Sequence, residues 1–309
     1  MKKTIVLGSV NMDLVVSTNR VPEGGETLTG DNFHLIPGGK GANQAVAIKR
    51  QEGSVSMIAR VGDDVFGNEL LDKLSENMVD VKHVKKDKFA SSGVALIVVE
   101  KNGQNRIIVV AGANGHLNIT DVEKAFNLLE ECEFLVVQLE IPLDVVNYAV
   151  TNARNRNIKT ILNASPIPEN LLQDDFLRKI NYLIVNETEA QVLTNIKVDD
   201  KESAINAAKI LQRKTSGTVL LTLGAQGAVT AIEDEVWHTK AFTVNAVDTT
   251  AAGDAFIGGF ITSLQRDNDL KNAVLHGCAS GALATCKFGA QPSLPTLSET
   301  NEFLSNYSM

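Results

Sequence analysis

The chain has 309 residues, 44% hydrophobic and 21% charged, with a net charge of −8. It is long enough to bury a large core in one or two ordinary globular domains. Its acidic balance, with no Lys or Arg run longer than a pair such as Lys85-Lys86, argues against a nucleic-acid surface and leaves small ligands as the expected partners.

Met1-Lys2-Lys3 leads into the β-branched run Thr4 to Leu7, too brief for a signal-peptide core or a membrane span, so a cytoplasmic protein is expected. That run reads as a buried strand stopped at Gly8, delivering Ser9, Asn11 and Asp13 at its C-terminal end. Further apolar runs recur at Ser56 to Ala59, Phe134 to Gln138, Thr160 to Asn163, Tyr182 to Asn186 and Val219 to Leu223. Segments with helical spacing, such as Pro142 to Arg154 and Ser203 to Lys214, lie between them. The alternation predicts an α/β fold whose parallel sheet is covered on both faces, with ligands at the strand C-termini.

Leu14 to Ile36 and Gly93 to Val110 break this rhythm, and the second contains the hairpin signal Asn102-Gly103. Together they predict a small antiparallel sheet projecting as a lid; a decorated edge of the main sheet is the alternative. Cys132, Cys278 and Cys286 show no Cys-x-x-Cys spacing and suit core packing in a reducing compartment. The five scattered histidines offer no zinc-ligand spacing.

The segment Asp248-Thr249-Thr250-Ala251-Ala252-Gly253-Asp254 carries the strongest chemical signal. Small residues before a helix expose successive N–H groups where the helix dipole favours an anion, phosphate above all. Asp254 would be repelled there unless it accepts a proton from an attacking hydroxyl, although helix capping accounts for it equally well.

A second glycine-rich segment, Gly38 to Ala47, fails both phosphate-loop patterns. His34 and Gly41 stand where a Walker A loop needs Gly and Ser or Thr, and Gln44 where a dinucleotide fingerprint needs its third Gly. It remains a turn that lets backbone approach a ligand, with Lys40 and Asn43 as donors. Asn11 and Asp13 are suited to holding vicinal hydroxyls, and Glu140 stands at another strand end. Asn186 and Glu189, three residues apart at a helix start, suit either a hydrated Mg²⁺ or a cap. Thr222 to Gly227 offers backbone to a nucleotide.

These motifs, in this order, resemble those of the ribokinase family of carbohydrate kinases over almost the whole chain. The resemblance implies one catalytic unit over residues 1–309: a three-layer α/β/α domain with a small β-sheet lid, 14–36 and 93–110, that commonly joins two subunits. It implies ATP-dependent phosphorylation of D-ribose at O5, with Asp254 as general base and Ala252 and Gly253 as an anion hole. Sugar contacts would be Asn11, Asp13, Gly39, Lys40, Asn43 and Glu140; nucleotide contacts Asn186, Thr222, Gly224, Gly227 and Gly253. Asn186 and Glu189 would organise Mg²⁺ through water. An activating K⁺ would lie near Asp248, Thr250, Ala284, Lys287, Gly289 and Ser293, several acting through carbonyls.

Two positions depart from the family pattern. Glu52 replaces the usual Gly or Ser after the first motif, so a local change at that helix end is expected. Cys278 stands near the adenine where relatives carry other small or polar residues, and it is left out of the expected site. A relative acting on fructose, deoxyribose or a nucleoside is the alternative enzyme, and a sugar sensor that kept the fold the alternative class.

Overall fold

The computed structural model describes residues 2–101, 104–128, 132–168 and 172–307. Its strands are β1 (Lys3–Leu7), β2 (Asn11–Thr18), β3 (Asn32–Gly38), β4 (Ser54–Gly62), β5 (Asp80–Asp87), β6 (Gly93–Glu100) and β7 (Asn105–Val110). They continue with β8 (Cys132–Val137), β9 (Lys159–Asn163), β10 (Tyr182–Asn186), β11 (Thr218–Thr222), β12 (Ala228–Ile232) and β13 (Glu235–Thr239). The helices are α1 (Lys40–Arg50), α2 (Val65–Glu76), α3 (Ile119–Leu128), α4 (Leu143–Asn155), α5 (Asp174–Leu177) and α6 (Glu187–Thr194). After them come α7 (Lys201–Lys214), α8 (Ala252–Asp267), α9 (Leu270–Thr285), α10 (Ala290–Ser293) and α11 (Leu297–Tyr307).

Nine strands form one sheet in the order β13-β12-β11-β10-β9-β8-β1-β4-β5, parallel from β5 to β11 and antiparallel only across the β12 and β13 edge. Successive residues of each buried strand face opposite layers. Ile5, Leu7, Leu135, Val137 and Leu162 pack on the side of α3, α4, α6 and α7. Val6, Phe134, Val136 and Ile161 pack under α1, α2, α8 and α9. Both faces are therefore apolar, which explains the near-continuous hydrophobic runs.

A second sheet runs β3-β2-β6-β7. It departs from expectation in one respect: β2 pairs antiparallel with β3 but parallel with β6, so the sheet is mixed. It also starts earlier, at Asn11, so Asn11 and Asp13 belong to this sheet rather than to a loop after β1. The hairpin of β6 and β7 is present, whereas its expected turn residues, 102–103, lie outside the described residues.

Candidate active site

All seven parallel strands end at one edge of the large sheet, and there the N-terminus of α1 meets that of α8. Close approach of these two helices sets the site. A Cβ on Gly258 would stand 2.6 Å from the Ala47 Cβ, so only glycine lets the helices touch at that level. One turn back toward each N-terminus, the same contact brings Asn43 and Gln44 onto Asp254.

Asp254 is 7% exposed, and both its oxygens are held. Asn43 Nδ2 donates to Oδ2 at 3.1 Å and Gln44 Nε2 to Oδ1 at 2.9 Å. Burial pushes the Asp254 carboxyl above its usual range, against the pull of Lys40 and of these two amides, while Glu140 adds to the rise. The side-chain Oδ1 of Asn43 is buried without a partner, an acceptor left for a ligand.

Gly39, at φ +87°, turns the chain from β3 into α1, where a side chain would collide with the backbone of Asn11 and Ser9. Glu140 clamps this junction: one carboxylate oxygen accepts from the Ser9 hydroxyl and, at 3.1 Å, from the Lys40 N–H. Ser9 is therefore spent on structure. The Lys40 ammonium meets opposing influences; burial, the largest, lowers its pKa, but Asp254, Glu140 and Glu189 together raise it above the usual range. Asp13 completes the cradle, its pKa raised to about 7 by burial first and then by Glu140 and Asp254. The Oδ1 of buried Asn11 accepts from Asn114 Nδ2 at 2.7 Å.

On the other side of Asp254 lies a cavity of about 370 Å³ lined by Thr222, Gly224, Gly227, Ala252 and Gly253, among the residues expected there. Cys278 lines it too, and burial pushes its thiol up to about 12, leaving it an apolar wall rather than a nucleophile. Helix α8 begins here with no side-chain cap; its first N–H, that of Ala252, donates to the Thr249 carbonyl at 3.3 Å, and the helix start opens at the cavity. Ala251, before it, holds a left-handed φ of 60°.

Asn186 does not line the cavity. It and Glu189 cap α6 reciprocally: Asn186 Oδ1 accepts from the Glu189 N–H at 2.9 Å, and Glu189 Oε2 from the Asn186 N–H at 2.9 Å. Glu189 Oε1 accepts from Asn186 Nδ2 at 3.1 Å, and burial raises this carboxyl above its usual range. Of the two roles open to this pair, the structure shows the cap.

Asp248 organises the loop before α8. Its Oδ1 accepts from the Thr250 N–H at 2.9 Å and hydroxyl at 2.6 Å, and its Oδ2 from the Gly289 N–H at 2.9 Å. Burial pushes its pKa up, but these donors outweigh it and the carboxyl ends below its usual range. Ala284 and Lys287 flank the turn after α9, and the Lys287 ammonium is engaged by Glu299 at 2.8 Å. Buried Ser293 donates its hydroxyl to the Ala290 carbonyl at 2.8 Å.

Three groups escaped sequence reasoning. Gln44 carried a signal, a polar residue among Ala42, Ala45, Val46 and Ala47 on a buried helix face. Asn114, which hydrogen-bonds Asn11 and the Val10 backbone, lies about a hundred residues away with no local cue. The cavity wall from Ala241 to Ala246, backed by Phe242 against Phe303 and Tyr307, belongs to no regular element.

A buried carboxylate, a polar cradle beside it and an uncapped helix start opening on a cavity define the class: a kinase that moves a phosphoryl group onto a hydroxyl of a carbohydrate. The chain belongs to the pfkB family of carbohydrate kinases, whose profile matches residues 1–297. It is 40% identical to a ribokinase of Haemophilus influenzae, over 98% of this chain and 99% of that one. It is 36% identical to a deoxyribokinase of Salmonella typhi, over 97% and 98%. Among solved structures, Arabidopsis thaliana ribokinase complexed with ribose and ATP superposes with a TM-score of 0.87 at 27% identity, covering 98% of each chain.

Proposed function

We propose that this protein is a cytoplasmic kinase that transfers the γ-phosphoryl group of ATP to the O5 hydroxyl of D-ribose, giving ribose 5-phosphate and ADP. The observation that carries this reading is Asp254: a buried carboxylate between the polar cradle and the helix start, held on both oxygens. The cradle supplies Asn11, Asp13, Gly39, Lys40, Asn43 and Glu140. With Asp254, the cradle's Asp13 and Glu140 make three carboxylates against one lysine, which disfavours an anionic substrate and suits a neutral polyol whose hydroxyls donate.

Asp254 takes the proton of the attacking hydroxyl, while the N–H groups of Ala252 and Gly253 at the start of α8 bind the phosphoryl oxygens. The nucleotide occupies the cavity at Thr222, Gly224 and Gly227. Positioning and charge neutralisation carry most of the rate.

Mg²⁺ would neutralise phosphate charge, with Asn186 and Glu189 reaching it through water, because their side-chain oxygens already accept hydrogen bonds from each other's nitrogens. The loop at Asp248 fits a K⁺ ion. Among the described residues no three His, Cys, Asp or Glu side chains converge on a metal position, so the donors are one carboxylate, the hydroxyls of Thr250 and Ser293, and carbonyls such as those of Ala284, Lys287 and Gly289. Such a set suits a weakly hydrated monovalent ion. The small sheet serves as the lid over the sugar and as a dimer contact.

Deoxyribose is the second reading, supported by the 36% identity to a deoxyribokinase. Coupled ADP release with ribose, deoxyribose, fructose and adenosine, in K⁺ and again in Na⁺, decides between them. Ribose should give the highest kcat/KM and K⁺ the higher rate. Preference for another acceptor would overturn the ribose assignment, and no ADP with any acceptor would favour a sensor.

A further inference from the structure

Behind Asp254 stands a chain of buried amides that reaches back to the sheet. Gln44, fully shielded from solvent, donates from Nε2 both to Asp254 Oδ1 at 2.9 Å and to Asn163 Oδ1 at 3.1 Å. Its Oε1 accepts from Nε2 of Gln138, also fully shielded, at 2.6 Å. Gln138 directly follows β8 and Asn163 ends β9, so the chain is anchored on two adjacent parallel strands.

The orientation of the Gln44 amide is determined by its surroundings, since its nitrogen faces two acceptor oxygens and its oxygen faces an amide donor. Packing gives no reason for it: the neighbours on α1 are Ala42, Ala45, Val46 and Ile48, and burying an amide there carries a desolvation cost that an apolar residue of similar shape would avoid. The charged groups facing Asp254 are Lys40 from α1, Glu140 after β8 and Asp13 from β2. None of them is a fixed amide dipole.

We infer that Gln44 is a positioning residue for phosphoryl transfer: backed by Gln138 and Asn163, it fixes the Asp254 carboxylate and favours its ionised form. This rests on the reading of Asp254 as the base. With Oδ1 held by Gln44, the proton arrives on Oδ2, the oxygen shared with Asn43 of the sugar cradle. The sugar O–H bond breaks as the Oδ2–H bond forms, the sugar oxygen attacks phosphorus, and the bridging oxygen leaves with the electron pair on ADP.

The test is kcat and sugar KM from about pH 5 to pH 9 for the wild type, Gln44→Met, Gln138→Met, Asp254→Asn and the Gln44→Met/Asp254→Asn double variant. Gln44→Met should lower kcat about 10- to 100-fold, the scale of one hydrogen bond to a charged group, with sugar KM within about twofold. It should also move the acid limb of kcat upward by about one pH unit, because the ionised base has lost a donor. Gln138→Met should move that limb the same way by less, and it decides alone if Gln44→Met does not fold. In the Asp254→Asn background Gln44→Met should cost nothing further.

An unmoved acid limb in the glutamine variants, with Asp254→Asn inactive, overturns the positioning role and leaves the base reading intact. A further loss on top of Asp254→Asn overturns it as well. Near-normal turnover of Asp254→Asn would sink the base reading, and this inference with it.

Discussion

Asp13 and Asp254 are both buried carboxylates, yet they answer to different parts of a pH profile. Asp13, raised to about 7, must be ionised to accept sugar hydroxyls, so sugar KM should rise as pH falls below about 7, and Asp13→Asn should flatten that dependence while weakening binding. The sign for stability is opposite. The folded carboxyl holds its proton more tightly than the unfolded one, so its contribution is complete below the unfolded value of 3.8 and is lost as pH rises through about 7. Thermal unfolding of the apo protein followed from acid to neutral pH, wild type against Asp13→Asn, checks this. The sequence made Asp13, Asn43 and Asp254 legible because polar residues stood at strand ends or in glycine-rich turns. Gln44 was not, since its role depends on a partner 210 positions away that no local pattern reveals.

Among elements, the contact of α1 with α8 governs how tightly Asp254, the proposed base, is held. Gly258→Ala places a methyl group 2.6 Å from the Ala47 Cβ, so the helices must part or tilt. Overpacking of this kind costs roughly 1–3 kcal/mol, and displacement of Asp254 should lower kcat more than it raises sugar KM. Thermal unfolding and steady-state rates measure the two effects separately. Glu52, just past the end of α1, holds a left-handed φ of 63°, a conformation that glycine adopts more readily. The parallel strands were readable as apolar runs because both their faces are buried. β5, written Asp-Val-Lys-His-Val-Lys-Lys-Asp, and β13, Glu-Val-Trp-His-Thr, were not, since these edge strands carry charge and pair on one side only. The parallel pairing of β2 with β6 was equally hidden: it joins segments about eighty residues apart, and local spacing reports hairpins, not crossovers.

For the molecule as a whole, the small sheet presents more apolar surface than a lone subunit needs. Ile107, Ile108, Val109 and Val110 of β7 are 47–65% exposed, with Phe33 and Leu35 of β3 also open to solvent. A second copy covering this surface, the dimer contact proposed above, would account for it. Sedimentation should give twice the chain mass, and Ile108→Glu should give monomers with weakened sugar binding; a wild-type monomer at working concentration would exclude the contact. Asn11 lies where this sheet leaves the main body, paired with Gly38 of β3 on one side and Gly93 of β6 on the other. A Cβ would collide with Asp13 Oδ2 at Gly38 and with Asn11 Oδ1 at Gly93, so the junction is closely packed, and under the proposed function Asn11 would meet the sugar there. Under that reading, substrate choice and the seating of the small sheet meet in one residue, so a chain that changes its preferred acceptor at Asn11 should also change how fast product leaves.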